Sequence, residues 1–170
     1  MSTVPKATPK VFTIVGNSGS GKTTLVEKLI RELSSRGLRV ATIKYANHKV
    51  VLDTPGKDSY RNKEAGAVMS MLVTSSQMQL VSDLAEEREP GQLAERFMGG
   101  ADLVLAEGFS LSPGAKIEVV RRECGKPPRC TLEDGLIAVV TDMEEVFPKL
   151  PHFALDDIDG IVEFILQRAA

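Results

Sequence analysis

The chain has 170 residues, 42% of them hydrophobic and 26% charged, and its 21 basic and 23 acidic side chains leave a net charge of −2. That length supports one domain with a substantial core, while near-neutral charge and few aromatics provide neither a basic footprint nor a stacking surface for nucleic acid. No apolar run approaches the roughly 20 residues that span a bilayer, which excludes a membrane helix.

From the N-terminus, MSTVPKATPK is polar, holds two prolines and lacks the apolar stretch of a secretory signal. It reads as a disordered leader over 1–9, ahead of a single domain over 10–170. VFTIV (11–15) reads as a buried strand. TTLVEKLIRELSSR (23–36) places Leu25, Val26, Leu29, Ile30 and Leu33 on one helical face, with Gly37 suited to the C′ position. Strand-like runs follow at 38–44, 67–73, 102–107, 117–120 and 136–141, and helical patterns at 58–67 and 89–99. Asp156 or Asp157 caps a last helix carrying Ile158, Ile161, Val162, Ile165 and Leu166 on one face.

Near-continuous apolar strands separated by helices predict an α/β fold, a mostly parallel doubly wound sheet with helices on both faces. The least regular stretch is YANHKVVLDTPGK (45–57); a loop of that length tends to be functional, or it holds a small antiparallel extension near 49–53. Cys124 and Cys130, the only cysteines, read as reduced thiols of a cytoplasmic protein, with a disulfide across CGKPPRC as the other reading. With two His, neither near a Cys in sequence, a structural zinc site has little support.

The chemistry concentrates where the first strand ends. Gly16-Asn17-Ser18-Gly19-Ser20-Gly21-Lys22-Thr23, followed by Thr24, fits G-x-x-x-x-G-K-[ST] between a strand and a helix. Its glycines let main-chain N–H groups converge on phosphate oxygens, and the helix N-terminus points its partial positive charge the same way. Lys22 would reach the β- and γ-phosphates and the Thr23 hydroxyl would ligate Mg²⁺. Glu107, ending DLVLAE, is the carboxylate expected to hold the metal through water, or else an ordinary strand-end charge. Asp102 opens that strand roughly 15 Å away and reads as a turn residue.

Beyond the glycine-rich turn, TIKYANH (42–48), LDTPGKDSYRNKEAGA (52–67), DLVLAEGF (102–109), KIEVVR (116–121) and VVTD (139–142) carry a more specific pattern. With these stretches the chain resembles the molybdopterin-guanine dinucleotide biosynthesis protein B family, small P-loop GTP-binding proteins of the SIMIBI class. The resemblance covers most of the chain, although Tyr45 and Ala46 stand where the family often has His and Asp. It implies a homodimer that binds GTP and assists attachment of GMP to molybdopterin. In that family a separate nucleotidyltransferase performs the transfer, and GTP hydrolysis by the accessory protein is slow.

The remaining candidates are read from position. Lys44 ends the second strand and either adds positive charge near a phosphate or is a solvated strand-end lysine. His48, Asp53 and Asp58, in or beside the long loop, are candidates to orient water or a metal-bound water, and Lys57 a candidate phosphate contact. Their alternatives are local: Asp58 as a helix N-cap and Asp53 as the start of a turn. Asp142, just past the last strong strand, can accept from guanine N1–H and N2–H₂ together, whereas adenine would meet it with a lone pair; its alternative is a turn aspartate. KIEVVRRECGKPPR (116–129) is locally basic and reads first as a solvated face, with contact to an anionic pterin phosphate or an acidic partner as the other reading. A small-molecule kinase, its 121–129 arginines clamping the transferred phosphoryl, is the competing function, and an interaction scaffold with a degenerate phosphate loop a weaker third that the intact Lys22 and Thr23 oppose.

Overall fold

The computed structural model describes residues 8–84 and 88–169. The expected leader lies outside the described residues except for Thr8 and Pro9. The chain divides into two compact units, a larger one built from Met1–Tyr45 and Glu89–Ala170 and a smaller one from Ala46–Arg88.

In the larger unit, β1 (Lys10–Gly16), β2 (Val40–Lys44), β5 (Leu103–Glu107), β6 (Lys116–Val120), β7 (Leu136–Thr141) and β8 (His152–Phe153) form one sheet in the order β2-β5-β1-β6-β7-β8. Every pairing in it is parallel. Among the described residues this unit holds the α-helices α1 (Lys22–Ser35), α3 (Pro90–Phe97) and α4 (Ile158–Ala169). Phe12 and Ile14 of β1 join the main core with Leu25, Leu29 and Leu33 of α1 and Ile161, Val162 and Ile165 of α4. Thr13 and Val15 alternate to the other face and are just as buried, so β1 is covered on both sides.

The helix ends follow from sequence. After α1, Gly37 takes φ +86°, its N–H bonds Ser34 O at 3.0 Å and the Leu38 N–H bonds Leu33 O at 3.2 Å, the paired bonds of a Schellman stop. Glu89 and Gln92 close a capping box at the start of α3, with Pro90 at its first position. Of the two expected caps of α4, Asp157 does the work: its Oδ1 accepts from Gly160 N at 3.0 Å. At the end of the sheet away from the strand tips, Asp102 accepts from Arg39 N at 2.8 Å and Arg39 Nε at 3.0 Å, joining the starts of β2 and β5.

The smaller unit holds α2 (Asp58–Glu64), packed on β3 (Met69–Val73), and β4 (Met78–Ser82), which pairs antiparallel with β3. Two expectations change here. The run 67–73 is a strand but belongs to this separate two-stranded sheet, not to the parallel one. Residues 49–53 form no strand; the antiparallel element lies instead at 69–82. Among the described residues no helix is long and apolar enough to cross a membrane.

Candidate functional site

The glycine-rich turn leaves β1 at the centre of the sheet, at the carboxyl ends of the strands, where open parallel sheets bind ligands. Gly16 adopts φ +142°, and a Cβ there would sit 2.5 Å from Val119 O and 2.9 Å from Ser20 Oγ. Only glycine lets β1 pass this close to β6 and turn. Gly21 is the N-cap of α1 at φ +93° with no side-chain cap, so the helix start offers its amides outward. Lys22 folds back across the turn, its Nζ donating to Asn17 O at 2.8 Å.

Strand register assembles the acid. Glu107 lies level with Ile14 of β1 on one side and Lys44 of β2 on the other. Its Oε1 accepts from Thr23 Oγ1 at 2.9 Å and meets Lys44 Nζ at 3.1 Å. A hydroxyl and a carboxylate in direct contact beside a phosphate-binding turn are a donor set that fits Mg²⁺, which takes hard oxygen ligands. Among the described residues no three His, Cys, Asp or Glu side chains gather in one place, so an ion here would draw its other ligands from phosphates and water. Burial pushes the Lys22 ammonium below the usual lysine range; Glu107 opposes that shift, while Arg129 and Lys44 add to it.

Other expected residues take different places. Asn17 spends its side chain on the loop after β6, with Nδ2 donating to Pro127 O at 2.8 Å. Ser20 is buried, and its Oγ has no hydrogen-bond partner among the described residues. With Thr24, Lys28 and Arg121 it lines a cleft of about 100 Å³ floored by Leu25, Val119, Val140 and Leu155. Asp142 follows β7, and its Oδ1 accepts from Arg122 N at 2.8 Å. Ser18 and Gly19 are exposed at the tip of the turn.

The smaller unit carries His48, Asp53, Lys57 and Asp58. His48 is exposed in a bend. Asp53 Oδ1 accepts from Thr54 N at 2.7 Å, while its Oδ2 is buried with no partner among the described residues. Lys57, not Asp58, is the N-cap of α2, and it makes no side-chain cap; Asp58 occupies the first helical turn, favourably placed for the helix dipole.

One member of the basic run is misplaced by sequence reading. Lys116 is 1% exposed, not solvated, and its Nζ donates to Ser112 O at 2.5 Å and to Asp134 O. Glu118, two residues on, is also fully buried. A lone acid inside the otherwise apolar IEVV was the available signal. Cys124 and Cys130 are free thiols. Phe109, after Gly108, holds φ +43°, packs its ring 5.2 Å from that of Tyr45 and fixes the bend that follows Glu107.

A parallel sheet whose central strand runs through a glycine-rich turn and Lys-Thr into a helix, with a carboxylate on the adjacent strand tip, defines the P-loop NTPase class of α/β protein. Residues 11–142 match the profile of the family described as molybdopterin guanine dinucleotide synthesis protein B, and the chain belongs to that family. A molybdopterin-guanine dinucleotide biosynthesis adapter protein of Haemophilus influenzae is 41% identical over 131 residues, covering 76% of this chain and 72% of the relative. The Escherichia coli K12 protein of the same description is 34% identical over 154 residues, 88% of this chain and 87% of its own length. A crystal structure of molybdopterin-guanine biosynthesis protein B superposes with a TM-score of 0.72 at 31% identity, over 94% of this chain and 98% of that one.

Proposed function

We propose that this chain is a Mg²⁺-dependent GTP-binding adapter that works in the cytoplasm with a nucleotidyltransferase forming molybdopterin guanine dinucleotide. The observation that carries the reading is the contact of Thr23 Oγ1 with Glu107 Oε1 at 2.9 Å beside the Gly16–Gly21 turn, a hydroxyl–carboxylate pair suited to a phosphate-bound magnesium. Thr23 and Glu107 would hold the metal, which when bound would offset the negative charge of the phosphates. Lys22, half-buried over the turn, supplies the cation, and α1 supplies amides and dipole. Guanine selection falls to Asp142. Residues 10–170 act as one nucleotide-binding domain, with molybdopterin as a further ligand.

The deciding measurement is a calorimetric titration with GTP and ATP, with and without Mg²⁺. Preference for GTP that needs magnesium supports the assignment, and preference for ATP sinks it. Lys22→Ala is expected to weaken triphosphate binding by roughly 100-fold while leaving the circular dichroism spectrum intact, because it removes a charged phosphate contact of the strong kind. Single Ala substitutions of His48, Asp53, Lys57 and Asp58 sort the remaining candidates: a slower GTP hydrolysis marks a water-positioning role. Phosphoryl transfer to an added acceptor, rather than to water, would favour the kinase reading.

We also propose that two copies pair. Met69, Met71, Leu72 and Val73 of β3 and Met78 of β4 are exposed on a hairpin that, as two strands, is marginal by itself. Light scattering at micromolar concentration is expected to give a dimer that Leu72→Lys with Met78→Lys dissociates.

A further inference from the structure

Glu118 is the second residue of this protein that buries a charge on β6, and both of its oxygens are used. Oε1 accepts from Arg129 N at 2.5 Å and Oε2 from Cys130 N at 3.1 Å. Burial pushes this carboxyl up from its ordinary range, and the two amides oppose the shift. An acid kept on two main-chain donors at that cost fixes a backbone.

The backbone it fixes is Arg121–Cys130, held at two other points. Arg122 N is bonded to Asp142 Oδ1 at 2.8 Å, and Pro127 O to the Asn17 amide at 2.8 Å. Between these anchors lie a 3₁₀ turn at Arg122–Cys124, ended by Gly125 at φ +58°, and Pro127-Pro128, whose rings narrow the conformations available. The Asn17 bond stitches the segment to the glycine-rich turn itself. The segment also carries Arg122, Lys126 and Arg129, all exposed and none in a salt bridge among the described residues. The field of Arg129 reaches Lys22 and helps depress its ammonium. Cations carried on a backbone fixed in advance suit a multiply charged anion, since only their side chains remain to be ordered at binding.

We propose that residues 121–130 are a preorganised cationic cap on the phosphate turn, with Arg129 a ligand of the nucleotide's terminal phosphate and the buried Glu118 its positioning residue. This rests on the nucleotide-binding reading above and deepens it. The cap acts on the end of the chain that distinguishes a triphosphate from a diphosphate. Arg suits the task because its planar fork can grip two phosphate oxygens at once.

The test titrates Mg-GTP and Mg-GDP into the full chain and its variants. Arg129→Ala is expected to weaken GTP binding by roughly 10- to 100-fold, the worth of a charged hydrogen-bonded contact, and GDP binding far less. Lys149→Ala, which removes an exposed charge outside the segment, should change both slightly and equally. Glu118→Gln keeps the shape but turns one acceptor into a donor facing an N–H, so it should erode the GTP-over-GDP preference. Adding Arg129→Ala to Glu118→Gln should then cost little more. Unchanged GTP affinity in Arg129→Ala while Lys22→Ala loses it overturns the cap and leaves the function standing. Fully additive losses in the double variant overturn the Glu118 role. A wild-type protein that ignores GTP removes both proposals. Should Glu118→Gln unfold, Arg129→Ala against Lys149→Ala decides the cap.

Discussion

At the scale of single residues the site is set by what lies within a few ångströms of the glycine-rich turn. Lys22 is held below its ordinary range mainly by burial. The fold therefore disfavours its ammonium, a cost present while pH is below the folded-state pKa and lost as pH rises through it. A bound triphosphate adds negative charge and raises that pKa again, so binding should take up protons under alkaline conditions. Calorimetry in two buffers of different ionisation enthalpy is expected to show uptake growing with pH, and none in Lys22→Arg. Gly16→Ala should cost about 1–3 kcal/mol through its backbone conformation alone, and more through the 2.5 Å approach to Val119 O; chemical denaturation measures it. The glycines, Lys22, Thr23 and Glu107 were legible because a motif and a strand tip are local signals. The bonds of Asn17 to Pro127 and of Glu118 to Arg129 were not, since they join residues far apart in sequence or across a turn of unknown shape.

Elements show the same division between local and distant information. The apolar stripes of α1 and α4, the Gly37 stop and the Asp157 cap follow from spacing and cap chemistry, and the structure places them accordingly. Asp157→Ala is expected to lower stability by about 1 kcal/mol, seen as a lower denaturation midpoint with unchanged slope. The hairpin was half-read. MSMLV is a strand by pattern, but its partner MQLVS mixes Gln and Ser into the run, and the turn between them lacks glycine. Thr74 makes that turn instead: its N–H bonds Gln77 O at 2.8 Å and its Oγ1 accepts from Gln77 N at 2.9 Å. Without a recognised partner, β3 was assigned to the parallel sheet. Two-residue β8 is too short to leave any periodic signal.

For the whole molecule, the division into two units makes the strongest demand. All six parallel strands and every member of the main core lie outside 46–88. So do the Gly16–Gly21 turn, Lys22, Thr23, Glu107, Asp142 and Arg129. Residues 46–88 enter between β2 and α3, within the crossover that leads to β5, and such a crossover needs only about a dozen residues in all. Loop-closure entropy changes slowly with length, so a shorter connection is not penalised. Replacing 46–88 with a flexible Gly/Ser linker should therefore leave a protein that unfolds cooperatively, and Mg-GTP affinity should fall by no more than about tenfold, the scale of one lost polar contact. The same variant should run as a monomer in light scattering, because the apolar hairpin assigned to pairing has gone. Loss of the cooperative transition would mean that the larger unit depends on the smaller one to fold. A folded variant without GTP affinity would move the centre of the nucleotide site into 46–88, and a folded, binding dimer would move the pairing surface to the larger unit.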